Sequence, residues 1–152
     1  MALNLTRALR REICVNGSIA DILGPLVLNV YDGTVPTNAE SPLSGNNLLV
    51  SYTNGATLPA FNLVLVYDET NNALVLDTGE VLQGTAGANG TATLFRIEAQ
   101  DDDGLSDAID KTRLRIQGTV GAVSADLFMG NPSITSGNAK IIGGFALQLL
   151  TY

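Results

Sequence analysis

The stretch "TATLFRIEA", residues 91–99, decides the fold. Its side chains alternate. Ala92, Leu94, Arg96 and Glu98 fall on one side, and Thr93, Phe95, Ile97 and Ala99 on the other. A period of two marks a β-strand, because successive Cβ atoms point to opposite faces. Downstream, "TRLRIQG" (112–118) repeats the pattern, with Arg113, Arg115 and Gln117 facing away from Leu114 and Ile116. The expectation is one wet face and one buried face, as in an antiparallel sheet.

Between these strands lies "AQDDDGLSDAID" (99–110), which holds Asp101, Asp102, Asp103, Asp107 and Asp110, with Glu98 just before it. An EF-hand loop needs oxygen ligands at alternate positions, a central Gly and a closing Glu. Counting from Asp101 puts Leu105 at the fifth position and Ser106 at the sixth, where Gly is required. Counting from Ala99 places Gly104 correctly but loses the first ligand and the final Glu. Paired catalytic carboxylates need two different environments across a cleft, and neighbours on one loop share one. The stretch therefore reads as a lengthened hairpin connection. Lys111, Arg113 and Arg115 offset its charge through exposed pairs of little worth. Changing Asp101, Asp102 and Asp103 to Asn is expected to leave folding intact.

Working outward, similar short apolar segments recur: "LVLNVY" (26–31), "NLLVSY" (47–52), "FNLVLVY" (61–67), "ALVL" (73–76), "EVLQGTA" (80–86), "ADLFM" (125–129), "AKII" (139–142) and "FALQLLTY" (145–152). Turn dipeptides separate them, among them Asp32-Gly33, Asn54-Gly55, Asn71-Asn72, Thr78-Gly79, Asn89-Gly90, Ser136-Gly137 and Gly143-Gly144. About nine short strands at this spacing predict an all-β fold, an antiparallel β-sandwich or small barrel. No helix-length periodic segment falls between strands, which disfavours a parallel α/β sheet. Residues 33–46, "GTVPTNAESPLSGN", form a long polar connection, by default an exposed loop and a plausible contact surface.

The N-terminus differs. Leu5, Leu9 and Ile13 recur at spacing four with Ala8 beside them, predicting a helix over 3–15. Asn4 or Thr6 supplies the cap and Asn16-Gly17 the stop. "SIADIL" (18–23) reads as one further turn, ended by Gly24-Pro25. The chain thus divides into a helical arm, 1–24, and a β domain, 25–152. Arg7, Arg10 and Arg11 put three positive charges on this short arm. They form either a solvated face or a surface that docks on an acidic neighbour.

Composition limits the chemistry. The 152 residues fit one domain, and 45% hydrophobic content is ample for a core. Charged residues make up only 15% and net charge is −7. Eight Lys and Arg, two of them lysines, are a poor match for nucleic-acid phosphates. There is no His, so the usual general base and zinc ligand are missing. The lone Cys14, between Ile13 and Val15, reads as a buried apolar thiol. "GTAGANG" (84–90) lacks the Lys and following helix of a P-loop. Neither a secretory signal nor a membrane-spanning run is recognisable, so a soluble, cytoplasmically made chain is expected. No catalytic residue, cofactor or metal site is expected, and the chain is not read as an enzyme.

With the strands laid out, the chain resembles a family of small structural proteins from tailed bacteriophages, of the capsid decoration or cement type. Three stretches carry the resemblance: "LVLNVYDGTVPTNAESPLSGNNLLVSYT" (26–53), "GANGTATLFRIEAQD" (87–101) and "GTVGAVSADLFMGNPSITSGNAKIIGGFALQL" (118–149). They cover about half of the chain, in order, after a short N-terminal helix. The resemblance implies a virion protein on the capsid exterior, made in the host cytoplasm, that bridges major capsid subunits as a homo-oligomer, with a trimer favoured. It implies no nucleic-acid or membrane partner. A short Asp-Gly hairpin is usual after the "FRI" strand in that family, and here the connection is longer and more acidic. The expected contact residues are Leu5, Arg7, Leu9, Arg10, Arg11 and Ile13 on the arm, then Val35, Pro36, Pro42 and Leu43 in the long loop. Packing of the helix on its own β domain is the competing expectation. Alternatives for the whole chain are a neck, tail or baseplate component, or a glycan-binding β module. The scarcity of aromatics, four Tyr and four Phe with most needed in the core, weighs against the last.

Overall fold

The computed structural model describes residues 3–17, 19–23, 26–52, 65–70, 73–77, 80–107, 112–142 and 146–148. Gly24-Pro25, Asn54-Gly55, Asn71-Asn72, Thr78-Gly79, Asp110, Lys111 and Gly143-Gly144 lie outside the described residues, as do parts of the segments at 61–67 and 145–152. In chain order the elements are β1 (Asn4–Leu5), α1 (Arg7–Val15), α2 (Ile19–Leu23), β2 (Val27–Tyr31) and β3 (Leu48–Tyr52). Then come β4 (Leu65–Asp68), β5 (Ala73–Leu76), β6 (Leu82–Thr85), β7 (Gly90–Thr91) and β8 (Leu94–Glu98). The chain continues through β9 (Ile116–Gly121), β10 (Leu127–Phe128), β11 (Ser133–Ile134), β12 (Ala139–Ile142) and β13 (Ala146–Gln148).

The central sheet has the order β1-β9-β8-β2-β3, all antiparallel, with β10 added parallel to β9. Three smaller antiparallel units accompany it: β11-β7, β12-β6 and β13-β5-β4. The architecture is therefore all-β in antiparallel sheets, as the alternation predicts. It is not closed into a barrel, because β1 and β3 end the central sheet without pairing to each other.

The register explains which residues share a face. Asn29 of β2 lies opposite Arg96 of β8, which lies opposite Gln117 of β9. The face behind them carries Leu28, Val30, Val50, Tyr52, Phe95, Ile97 and Ile116, all members of the main hydrophobic core. Phe95 is fully buried there, so its truncation to Ala costs about 3–5 kcal/mol. Core contacts are tight. A Cβ on Gly84 of β6 would collide with the Ser51 carbonyl oxygen of β3, so only glycine lets these two backbones meet.

The front face departs from expectation. Every residue of β2 and β8 is buried, Arg96 and Glu98 included. Arg115, just before β9, is 0% exposed. The sheet is covered on both faces, and the face read as wet is a buried polar layer.

The helix begins later than predicted. Asn4 and Leu5 pair with Gln117 and Ile116 at the edge of the central sheet, so the arm's first residues belong to the β framework. Thr6 then caps α1 from an extended conformation. Ala8 and Leu9 are buried and Leu9 joins the core, so the helix packs on its own β domain. Cys14 is exposed rather than buried. It lies five residues beyond Leu9, about 140° around the helix, on the solvent side.

Candidate interaction surface over a buried polar layer

Three irregular pieces of chain converge on the polar face: the cap of α1, the loop 33–46 and the acidic connection 99–107. The loop starts at Asp32-Gly33, where Gly33 adopts φ +82. Asn46 Nδ2 donates to the carbonyls of Asp32 (2.6 Å) and Thr34 (3.0 Å), and Asn47 N donates to Asp32 Oδ1 (2.6 Å). These bonds staple the two ends of the loop together. The Asn47 side chain, and then its N–H, donate to the Asp32 carboxylate and hold it below its ordinary range. At the tip, Asn38 Oδ1 accepts from the backbone of Glu40 and Ser41.

The underside of the loop meets the sheet through carbonyls. Gln117 Nε2 donates to Pro36 O (2.9 Å), Arg115 Nη1 to Ala39 O (3.3 Å) and Arg96 Nη2 to Ser41 O (2.8 Å). A loop lying on aliphatic side chains would leave these carbonyls unpaired, which is costly when buried. The long polar side chains of the front face therefore act as struts.

The acidic connection is pinned in the same way. Asp102 accepts from Arg115 Nε (2.7 Å) and Nη2, and its side chain is only 2% exposed. Arg113 reaches Asp103 with both Nη atoms and touches Asp102 at 3.4 Å. Asp107 is 1% exposed and accepts from the backbone N–H groups of Thr112 (3.1 Å) and Arg113 (3.2 Å). Gly104 takes φ +71, which the tight turn after Asp103 requires. Only part of the stretch is wet, and Asp101 is fully in that part.

Deeper in, Glu98 Oε1 accepts from Asn29 Nδ2 (2.9 Å) and from the Tyr31 hydroxyl. Burial pushes the Glu98 carboxyl above its ordinary range and outweighs these bonds. Burial and the Glu98 charge together raise the Tyr31 phenol. Burial lowers Arg96. Burial also opposes ionisation of Asp102, but the bonds from Arg115 and from the Gly104 N–H prevail and hold its carboxyl below the usual range. Arg113 holds Asp103 down to about 2. Among the described residues, Arg96 Nη1 and Glu98 Oε2 have no hydrogen-bond partner, although Glu98 Oε2 lies 4.0 Å from Arg115 Nε.

Perturbed carboxyls of this kind often mark active sites, yet structural ion-pair networks perturb them too. Here the loop and the acidic connection cover the ionisable groups. Among the described residues, an open groove lies elsewhere, between β3, β6 and β12, and is lined by Leu48, Ile141, Lys140 and their neighbours with no carboxylate among them. Among the described residues, no group of three His, Cys, Asp or Glu is placed to hold a metal ion. No helix among them is long and apolar enough to cross a membrane.

The expected contact residues separate into two sets. Leu9 is fully buried, and Leu5 and Ile13 pack against the core, so these three serve the fold. Arg7, Arg10, Arg11 and Pro42 are exposed, while Val35, Pro36 and Leu43 are half-buried. The structure joins the arm to the loop: Arg7 N donates to Glu40 Oε1 (2.9 Å) and the Arg7 guanidinium pairs with the same carboxylate at 3.6 Å. The loop joins the acidic connection in turn, with Leu43 N bonded to Gly104 O and Asp107 N to Glu40 O. The result is one continuous, fixed surface made from three separate segments. The buried layer beneath it (Arg96, Glu98, Asp102, Arg115, Gln117) was not expected. Its signal was present as charges of both signs on two adjacent strands, facing a run of aspartates. Comparison of the chain with family models, with curated proteins and with solved structures finds no match.

Proposed function

We propose that this chain is a structural protein of a tailed-bacteriophage virion that decorates the capsid exterior and stabilises it by bridging major capsid subunits. The observation that carries this reading is the fixed outer surface. A 14-residue polar loop would ordinarily be mobile. This one is tied at both ends and strutted from below by Arg96, Arg115 and Gln117. A preorganised loop loses little entropy on docking, which suits a protein that works by shape and buried area rather than by turnover. The resemblance of 26–53, 87–101 and 118–149 to capsid decoration proteins points the same way, and it implies a homo-oligomer with a trimer favoured. In this reading the sheets pack as the two layers of a β-sandwich, the close approach of Gly84 to Ser51 forming part of the seam.

Quantitative mass spectrometry of purified particles, with cryo-electron microscopy of the heads, tests the reading. Copies on the order of hundreds per particle, with density on the outer shell, are expected. About six or twelve copies would place the chain in a neck, tail or baseplate ring instead.

A further inference from the structure

We infer that the arginine stripe of α1 is a contact between copies of this chain, docking on the rim of the acidic connection of a second copy. The inference rests on reading the chain as a self-assembling structural protein and names the surface through which it assembles.

The eight cations of the chain are not equivalent. Arg96, Arg113 and Arg115 are committed to the polar layer. Arg7 is paired with Glu40, and Lys140 donates to Ser133 O. Lys111 lies outside the described residues. Among the described residues, Arg10 and Arg11 are the cations that remain exposed with no ion pair. They stand three and four residues after Arg7, so all three share one side of α1. Leaving two arginines unpaired in a chain of net charge −7 is a specific arrangement. Opposite charge is abundant on this molecule, and none of it among the described residues pairs with them.

The acidic counterpart lies near the stripe on the same molecule. Thr6, the residue before α1, bonds to the backbone of Arg113 and Arg115, and Arg115 holds Asp102. Arg7 pairs with Glu40, whose carbonyl accepts from Asp107 N. The stripe and the acidic rim are thus joined through two short chains of bonds. On that rim Asp101 is exposed and bears no ion pair among the described residues, and Leu105 is 59% exposed. Val15, at the end of α1, is 68% exposed. A surface with a positive stripe, a negative rim and exposed apolar side chains on both parts is complementary to itself. A second copy meets opposite charge for its own stripe and apolar area to bury, as a symmetric assembly requires. Two arginines are too few to hold nucleic acid, so a protein surface is the fitting partner.

Sedimentation equilibrium of three purified proteins tests this: the wild-type chain, Arg10→Glu/Arg11→Glu, and Asp101→Lys. The wild type is expected to associate. Each variant alone should associate at least about tenfold more weakly, with an unchanged thermal midpoint showing that the fold is intact. Mixing the two variants should restore the contact between unlike copies, because Glu on one stripe then meets Lys on the other rim; a dimer is then fully satisfied and a trimer at two of its three contacts. A monomeric wild type, or association indifferent to both variants, overturns the inference. So does an associating wild type whose variants are weakened but not rescued by mixing. Attachment to heads stripped of the protein is read separately. Association without attachment sinks the decoration reading and leaves this contact standing, whereas attachment without association does the reverse.

Discussion

Asp102 clasps Arg115 through both Nε and Nη2, with both side chains out of solvent. This pair ties the acidic connection to the residue that leads into β9. Asp102→Asn leaves a guanidinium buried against a neutral amide and should cost about 3–5 kcal/mol. Asp101→Asn, at an exposed position, should fall within about 0.5 kcal/mol of wild type. Asp103→Asn removes an exposed, solvent-screened pair and should rank close to Asp101→Asn, well below Asp102→Asn. Urea denaturation of the three single variants checks the ranking. Equal midpoints would restore the picture of a uniformly wet hairpin, in which all three changes are harmless.

The same occupancy bears on calcium. Four carboxylate oxygens of Asp102 and Asp103 already accept from Arg113 and Arg115 or from backbone N–H groups. A cation would have to displace two guanidinium groups. Millimolar calcium should therefore leave the melting temperature unchanged. A rise that disappears in Asp103→Asn would show that the arginines yield to the metal.

Much of the fold was legible because alternation is local. "TATLFRIEA" and "LVLNVY" each announce a strand within a few residues, and "ALVL" coincides with β5. The environment of each face was not legible, because it is set from far away in the chain. Arg96 is buried by Ser41, 55 residues distant, and Arg115 by Ala39, 76 residues distant. Position by position, an arginine on a strand is more often wet than buried, and nothing near Arg96 signals a lid. The start of α1 failed for a similar reason: Asn4 and Leu5 are drawn out of the helix by pairing with Gln117 and Ile116. The arm's charge and the loop's length each mark a contact segment, but the Arg7–Glu40 pair is what shows them to be one surface.

Stability should depend on pH with two opposing limbs. Burial raises the Glu98 carboxyl above its ordinary value of about 4.3. The folded state then holds this proton more tightly than the unfolded chain. Ionised Glu98 thus subtracts stability at pH above its folded value, and acidification through that value restores it. Asp102 and Asp103 are held below about 3.9. Their contribution is complete above that pH and is lost as pH falls through their folded values, about 2 for Asp103. Melting temperature should rise as pH falls through the folded value of Glu98 toward about 4.3, and fall as pH drops below about 3.9. Glu98→Gln keeps an acceptor for Asn29 and Tyr31, so it should abolish the rise and preserve the fall. A rise that persists in Glu98→Gln would assign it to another group.

Close backbone approach makes a sharper prediction than helix or strand propensity does. Gly84→Ala places a methyl against the Ser51 carbonyl and the Val50 side chain, and β6 must move off β3 to admit it. A cost of about 1–3 kcal/mol is expected. Gly130 has nothing within 4 Å of the same construction, so Gly130→Ala should be neutral or slightly stabilising through the unfolded chain. Thermal denaturation of the two variants, side by side, separates packing from chain entropy.

Thr6 is the last test, because one hydroxyl serves two elements. Its Oγ1 accepts from Leu9 N (3.4 Å) as the cap of α1 and from Arg115 N (3.1 Å), and it donates to Arg113 O (2.6 Å). An ordinary cap is worth about 1 kcal/mol. Here Thr6→Ala also orphans a buried N–H and a carbonyl on the segment leading into β9, so a loss of about 2–3 kcal/mol is expected. Thr6→Ser retains all three bonds and should recover most of it, losing only the packing of one methyl, about 1 kcal/mol. Hydrogen exchange at Leu9 and Arg115 distinguishes the two roles. If Thr6→Ala accelerates Leu9 alone, the hydroxyl is only a helix cap. If both amides accelerate together, it is the pin that holds α1, and with it the arginine stripe, against the central sheet.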